Sequence, residues 1–197
     1  MRLVLASTSP QRRAILEQLR IPFEAVAPTY VEHDAPDVQP VDLVRAHAEG
    51  KARSVHADGQ LTLGVDTAVV FGARVFGKPT DEKDAARMLS ELSGRAHTVL
   101  SGLCLLGPGF ELLRPGFEAI LEERTEVVFR TLSDAEVAGY VASGEWRGRA
   151  GGYAIQGLGG RLVERIEGDY LNVVGLPGAL LIDVLGRHAP DLLKARS

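Results

Sequence analysis

Short apolar runs that alternate with capped helical segments constrain this chain more than any other feature. "RLVLA" near the amino terminus has the pattern of a buried strand, and it breaks at once into "STSPQRRAILEQL". Ser9 is placed there to cap a helix with Pro10 at its first position and Ile15, Leu16 and Leu19 as its apolar stripe. "FEAVAP" reads as a second strand and "YVEHDAPDVQP" as a polar loop. Over residues 41–56 the spacing of Leu43, Val44, His47 and Ala48 predicts an amphipathic helix. "LTLGVDTAVVF" and "RVFGK" form a hairpin pattern with Gly72 near its turn. "TDEKDAARMLSELSG" is acidic at its start, carries Met88, Leu89 and Leu92 on one face, and stops at Gly94, as a helix does.

"HTVLSGLCLLG" predicts a strand, and two more are expected within "FEAILEERTEVVFRTL". Ser133 followed by Glu136 is a capping-box signature for the helix "DAEVAGYVAS". The glycine-rich "AGGYAIQGLGGRLVERIEGDYLNVVGLP" mixes strand and loop, and Pro177 starts a last helix that runs to Leu185. Strands and helices that alternate loosely, with several hairpins, fit an α/β fold with a mixed sheet. There is no internal repeat and no clear linker, so residues 1–197 are expected to form one domain.

The formal net charge of -4 speaks against a nucleic-acid partner, which calls for a basic face. Cys104 is the single cysteine and can form no internal disulfide; in "LCLL" it reads as a buried core thiol. No apolar run approaches the ~20 residues that span a bilayer, so no membrane is expected. The first apolar segment, "LVLA", is too short for a leader, and a cytoplasmic location is the expectation.

Three stretches carry chemistry. In "LASTSPQRRAILEQL" a helix start offers unpaired N–H groups and partial positive charge. Ser7, Thr8 and Ser9 add hydroxyls there, and Arg12 and Arg13 add fixed charge, a set suited to a polyphosphate. The plainer reading is a capped helix with solvated arginines. A P-loop is excluded, because G-x-x-x-x-G-K-[ST] does not occur. In "GVDTAVVFGARVFGKP" Asp66 interrupts an apolar strand, which is costly unless the acid is paired or binds metal. Lys78 follows the hairpin partner and is one expected mate. Glu32, Asp34 and Asp37 lie in the polar loop, and Lys51 in "AEGKARS" falls on a helix, where it reads as a surface lysine. In "RAGGYAIQGLGG" glycines permit close backbone approach, and the Gln156 amide offers a donor and an acceptor that could read the edge of a base.

Taken in order, "LASTSPQRRAILEQL", the Glu32 loop, "AEGKA", the segment from "GVDTAVVF" to "VLSGL", "YAIQGLGG" and "VERIEGDYLNVVGLP" resemble the Maf family of nucleoside triphosphate pyrophosphatases. The resemblance covers nearly the whole chain. It implies a two-lobed Maf/ITPase-like α/β fold, with an elongated mixed sheet flanked by helices and a nucleotide cleft between the lobes. It also implies a homodimer and a divalent cation, magnesium or manganese. The family activity cleaves a nucleoside triphosphate between its α and β phosphates, giving a monophosphate and pyrophosphate. Ser7, Ser9, Arg12, Arg13, Lys51 and Lys78 are then expected to bind substrate, and Glu32 and Asp66 to hold the metal.

Asp66 has two open roles on this resemblance: it deprotonates the attacking water, or it mainly positions a water activated by the metal. The branch acting on dTTP and UTP typically carries Arg, Thr and Gln at its selectivity positions. Here they match Gln11, Thr67 and Gln156, so Gln11 departs, as does Arg149, where lysine is usual. The expected function is hydrolysis of dTTP and UTP. The alternatives are a 7-methyl-GTP pyrophosphatase and a non-catalytic nucleotide sensor that regulates septum formation.

Overall fold

The computed structural model describes residues 2–33, 38–108 and 118–194. In chain order its main elements are β1 (Leu3–Ala6), α1 (Pro10–Gln18), β2 (Phe23–Val26), α2 (Pro40–Arg53), β3 (Leu61–Phe71), β4 (Arg74–Phe76), α3 (Glu82–Leu92), β5 (Ala96–Leu106), β6 (Glu118–Phe129), α4 (Asp134–Ser143), β7 (Val163–Glu167), α5 (Tyr170–Val174) and α6 (Gly178–His188). The sheet runs β2-β1-β3-β5-β6-β7, with β4 paired to β3. β1 is parallel to both β2 and β3, while the β3/β4 and β6/β7 pairs are antiparallel, so the sheet is mixed as expected. The chain divides into two compact units: residues 1–66, 101–123 and 175–197, and residues 67–100 and 124–174.

In the first unit β1 is buried throughout, and Leu3 lies in register with Phe23 of β2 and Leu61 of β3. Ser9 caps α1, with Pro10 at the first turn, and Ile15 and Leu16 face inward. α2 buries Val44, His47, Ala48, Lys51 and Ala52. This stripe sits unusually low on its neighbours. A Cβ on Gly64 of β3 would run into the Ala48 carbonyl, and one on Gly102 of β5 into the Val44 carbonyl. Glycine at both positions lets the helix backbone approach the strands directly. Ala48 and Ala52 pack there with Cys104 and Leu106. Cys104 is buried, as its sequence context predicts, and burial first, then the nearby Glu118 and Glu49, push its thiol up to about 12.

The second unit has its own core, with Phe76, Met88, Leu89, Leu92, Phe129, Trp146 and Tyr153 among its members. Asp81 caps α3 by accepting from the Asp84 N–H at 2.8 Å, and Gly94 follows the helix at a φ of 68°. The capping box of α4 is present: Ser133 and Glu136 each accept from the other's backbone. His97 lies edge-on to Phe129 and Tyr153, with its Nε2 2.8 Å from the Tyr153 hydroxyl. Burial lowers the imidazole pKa to about 4.

Two sequence expectations are corrected. Glu118–Phe129 is one strand where two are expected, because no glycine, proline or turn pair interrupts it. "YLNVV" is a short helix, α5, inside a stretch expected to be strand and loop. It starts beside Asp169, whose Oδ1 accepts from the Leu171 N–H at 2.7 Å, a local contact that favours a turn over extended chain.

The glycines under α2 make a direct prediction. Gly64→Ala places a methyl against helix backbone, which cannot swing away as a side chain would. The substitution should destabilise the protein by about 3 kcal/mol, the upper part of the usual over-packing range, read as a lower urea midpoint at unchanged slope.

Candidate active site

The first unit brings most of the expected site residues together. Where β1 ends, Ser7 is buried. Its Oγ accepts from the Ser9 N–H at 3.1 Å and from Arg12 Nη1 at 3.2 Å. Ser9 Oγ in turn accepts from the Arg12 N–H at 3.4 Å and donates to Gln11 Oε1 at 3.1 Å. Arg12 also donates from Nε to the Gly175 carbonyl at 2.9 Å. Gly175 has a φ of 127°, a conformation that glycine alone takes without strain. Arg12 is thus a clamped guanidinium at the helix start. Burial lowers its pKa, and the negative charges of Asp66 and Glu32 act against that shift.

Lys51 gathers those two acids. It projects from the buried stripe of α2 and is 8% exposed. Its Nζ lies 2.6 Å from Asp66 Oδ1 and 2.6 Å from Glu32 Oε1. The reading of Lys51 as a surface lysine is therefore corrected, and so is the pairing of Asp66 with Lys78. The low seat of α2 turns Lys51 inward, and a helix–strand pair of this kind leaves no local spacing signal. Lys78 is exposed and makes no ion pair among the described residues. Arg13 is exposed too, its side chain without a partner among the described residues. Both are unengaged cations that a phosphate chain can recruit. Asp34 and Asp37 lie outside the described residues.

Sequence reasoning missed Tyr30 and His47. The Tyr30 hydroxyl is 3.1 Å from His47 Nδ1, and the Tyr30 ring covers α2 at Gly50, where a Cβ would strike it. This anchors the chain two residues before Glu32. The only signal in the sequence is a histidine on the apolar stripe, next to Ala48.

The second unit holds Thr67, half-buried on β3, Lys78 just after β4, and Gln156, exposed on the turn between Tyr153 and Leu158. Three contacts anchor that turn. The Tyr153 hydroxyl meets His97, the Ala154 N–H donates to the Tyr140 hydroxyl at 3.0 Å, and Glu145 accepts from the N–H groups of Leu158 at 3.0 Å and Gly159 at 2.9 Å. Burial alone would raise the Glu145 pKa, but these two backbone donors, with Tyr140 and Arg149, hold it below the ordinary carboxylate range.

Chemically, the first unit offers two carboxylates that converge on one point, a buried lysine and a half-buried arginine beside them, and serine hydroxyls at a helix start. An all-oxygen donor pair of this kind suits a hard divalent cation that completes its shell with water and phosphate. The cations and hydroxyls suit an anionic ligand.

Comparison with known proteins shows what the whole chain is similar to. The family model described as Maf-like protein matches residues 2–188. The chain is similar to the dTTP/UTP pyrophosphatase of Gloeobacter violaceus, 47% identical over 93% of this chain and 94% of that protein. It is 42% identical to the dTTP/UTP pyrophosphatase of Deinococcus radiodurans, over 93% and 91% of the two chains. It is 44% identical to that of Salinibacter ruber, over 99% and 95%. Among solved structures, a HAM1 protein from Coxiella burnetii aligns with a TM-score of 0.42 at 16% identity, over 66% of this chain and 73% of that one.

Lys51→Met tests the cluster. It keeps the length of the side chain and leaves two carboxylates without their shared cation. Stability should fall by about 2–4 kcal/mol at low salt, the range for an uncompensated charge in a site buried in part. Glu32→Gln added to Lys51→Met should recover part of that loss, as read by thermal unfolding.

Proposed function

We propose that this chain, which belongs to the Maf-like family, is a nucleoside triphosphate pyrophosphatase that hydrolyses dTTP and UTP to the monophosphate and pyrophosphate. The observation that carries the reading is the Lys51–Asp66–Glu32 cluster beside the clamped Arg12, in a chain at least 42% identical to three relatives bearing that activity in their names. A triphosphate cannot be attacked at phosphorus until its charge is offset. Lys51, buried, and Arg12, half-buried, supply positive charge, Arg13 is unengaged on the same unit, and Lys78 is a further unengaged cation that the family resemblance assigns to the substrate. The Ser7 hydroxyl adds a donor at the helix start, and that of Ser9 adds one where it leaves Gln11 Oε1.

Glu32 and Asp66 would hold a magnesium or manganese ion, since their oxygens already converge on a single cation, the Lys51 ammonium. That ion would offset phosphate charge and lower the pKa of the attacking water. Asp66 sits half-buried on β3, where its second carboxylate oxygen can accept the water's proton or orient the water toward phosphorus. Lys51 keeps the acid in place in either role. We extend the reading, on the family resemblance, to a cytoplasmic homodimer. Among the described residues no helix is long and apolar enough to cross a membrane.

The base is the part of the substrate on which this chain departs from its branch. Uracil and thymine present an N3–H donor flanked by carbonyls, and the Gln156 amide can complement that edge, with Thr67 as its companion in selectivity. The usual arginine at position 11 is glutamine here, and its Oε1 accepts from Ser9, so the side chain folds back on its own helix cap. Glutamine is neutral and shorter and cannot replace an arginine stacked on a ring. Preference for dTTP and UTP should therefore hold but be loose.

Incubation with UTP should yield UMP and pyrophosphate as first products; UDP and orthophosphate would refute the cleavage site. Asp66→Asn removes one charge at constant shape and should lower kcat by about 10²–10⁴, the span of a lost general base or positioning acid, with the fold intact by circular dichroism. Near wild-type turnover at saturating metal would refute both roles of Asp66.

Gln11→Arg should raise kcat/KM for UTP and dTTP relative to CTP, GTP and 7-methyl-GTP. If the unsubstituted protein prefers 7-methyl-GTP, the branch assignment is wrong.

A further inference from the structure

Glu145, half-buried, points its carboxylate into the backbone of a turn, with Tyr140 and the charge of Arg149 also acting on it. The N–H groups of Leu158 and Gly159 both donate to it, one to each oxygen, at 3.0 and 2.9 Å. Gly157 completes the seat: a Cβ there would land on the carboxylate, so only glycine lets the acid lie flat against the chain. A carboxylate that accepts two backbone donors is a strong, directional tie. On the other side of the turn, the Ala154 N–H is held by the Tyr140 hydroxyl, and Tyr153 is buried against His97 and Phe129. Gln156 lies between these anchors, exposed, with no side-chain partner among the described residues. The chain on both sides of Gln156 is fixed, and its amide is left free.

We propose that Glu145 is a positioning residue for base selection: by holding the Leu158 and Gly159 N–H groups it fixes the backbone of the turn that carries Gln156, and so the place from which the amide meets a uracil or thymine edge. The proposal rests on the reading of Gln156 as the base-recognising residue. A free glutamine amide pays rotamer freedom to bind and can turn to suit other bases. On a fixed turn the amide meets the base from one place, so a base whose edge does not match there leaves a polar group unpaired. Glu145 touches no phosphate ligand identified above. Its loss should therefore weaken substrate discrimination and leave the chemical step alone.

The experiment compares Glu145→Ala, Glu145→Gln, Gly157→Ala and Gln156→Ala by kcat and KM for UTP, dTTP, CTP and GTP. Glu145→Ala should raise KM for UTP and dTTP by roughly ten- to a hundredfold, as a small misplacement of a binding group does. kcat for UTP should stay within about twofold of the unsubstituted protein, the pattern of lost uniform binding. The ratio of kcat/KM for UTP over GTP should shrink toward the Gln156→Ala value. Adding Glu145→Ala to Gln156→Ala should shrink it no further, because the two residues act through one group.

Glu145→Gln keeps one acceptor oxygen and should restore an intermediate ratio. Gly157→Ala displaces the carboxylate with both residues intact and should copy Glu145→Ala. If Glu145→Ala does not fold, the glutamine and Gly157→Ala variants carry the comparison. The proposal is overturned if those variants fold and keep the UTP-over-GTP ratio while Gln156→Ala collapses it. If Gln156→Ala also leaves the ratio unchanged, Gln156 does not read the base, and both readings fall together.

Discussion

Lys51 carries its ammonium on the inner face of a helix, where burial would disfavour the charge unless opposite charges met it. Asp66 and Glu32 meet it, each at 2.6 Å. The contact requires α2 to lie close to β3, and that closeness in turn requires the absence of side chains at Gly64 and Gly102. Gly64 is two residues before Asp66 on the same strand, so its side faces the same way in the pleat. The position that lets the helix down thus stands beside the acid that the helix lysine grips. Ala48 and Ala52 on the facing stripe are small for the same reason.

A buried ion pair of this kind is weak evidence for stability, since well-packed apolar residues often do as well or better. The first unit has apolar residues to spare at neighbouring positions, from Val44 on α2 to Leu63 and Val65 on β3. That charge stands where packing could have served points to what the charges do. The arrangement has the features of a preorganised site: acids already turned to one point, a lysine and a clamped arginine already desolvated, and hydroxyls already committed to orient Arg12.

Much of the fold was legible because its signals are local. The Ser9–Pro10 start of α1, the Gly72 hairpin, the stop of α3 at Gly94 and the capping box of α4 are each written within a few residues, and each stands in the structure. The failures are of the opposite kind. Two strands are expected within "FEAILEERTEVVFRTL", yet β6 is one, since no breaker lies within its charged middle. Lys51 was placed at the surface because helix periodicity tells which residues share a face, not how low that face sits. The gathering of Ser7, Ser9, Arg12, Glu32, Lys51 and Asp66 into one unit was reached only through resemblance to a family. The sequence places His47 on the apolar stripe of α2 but gives no sign of its contact with Tyr30, nor of that between Glu145 and its turn, since these partners come from another element and no spacing rule joins them.

The two units hold their functional groups by different means, and the difference suits what each group must do. In the first, Ser7, the Gly175 carbonyl, Asp66 and Glu32 hold the side chains of Arg12 and Lys51 themselves, so those two charges are fixed in place. In the second, Glu145 and Tyr140 restrain main-chain N–H groups, and the side chain of Gln156 takes no part in its own anchoring. A turn held through its backbone keeps its shape when the residue at its tip is exchanged. On the function proposed above, base preference can then change at position 156, or at Gln11 on the α1 cap, without dismantling the cluster around Lys51. The departure at Gln11 fits that logic: its side-chain carbonyl is taken up by Ser9, and the cap and the Arg12 clamp remain whole.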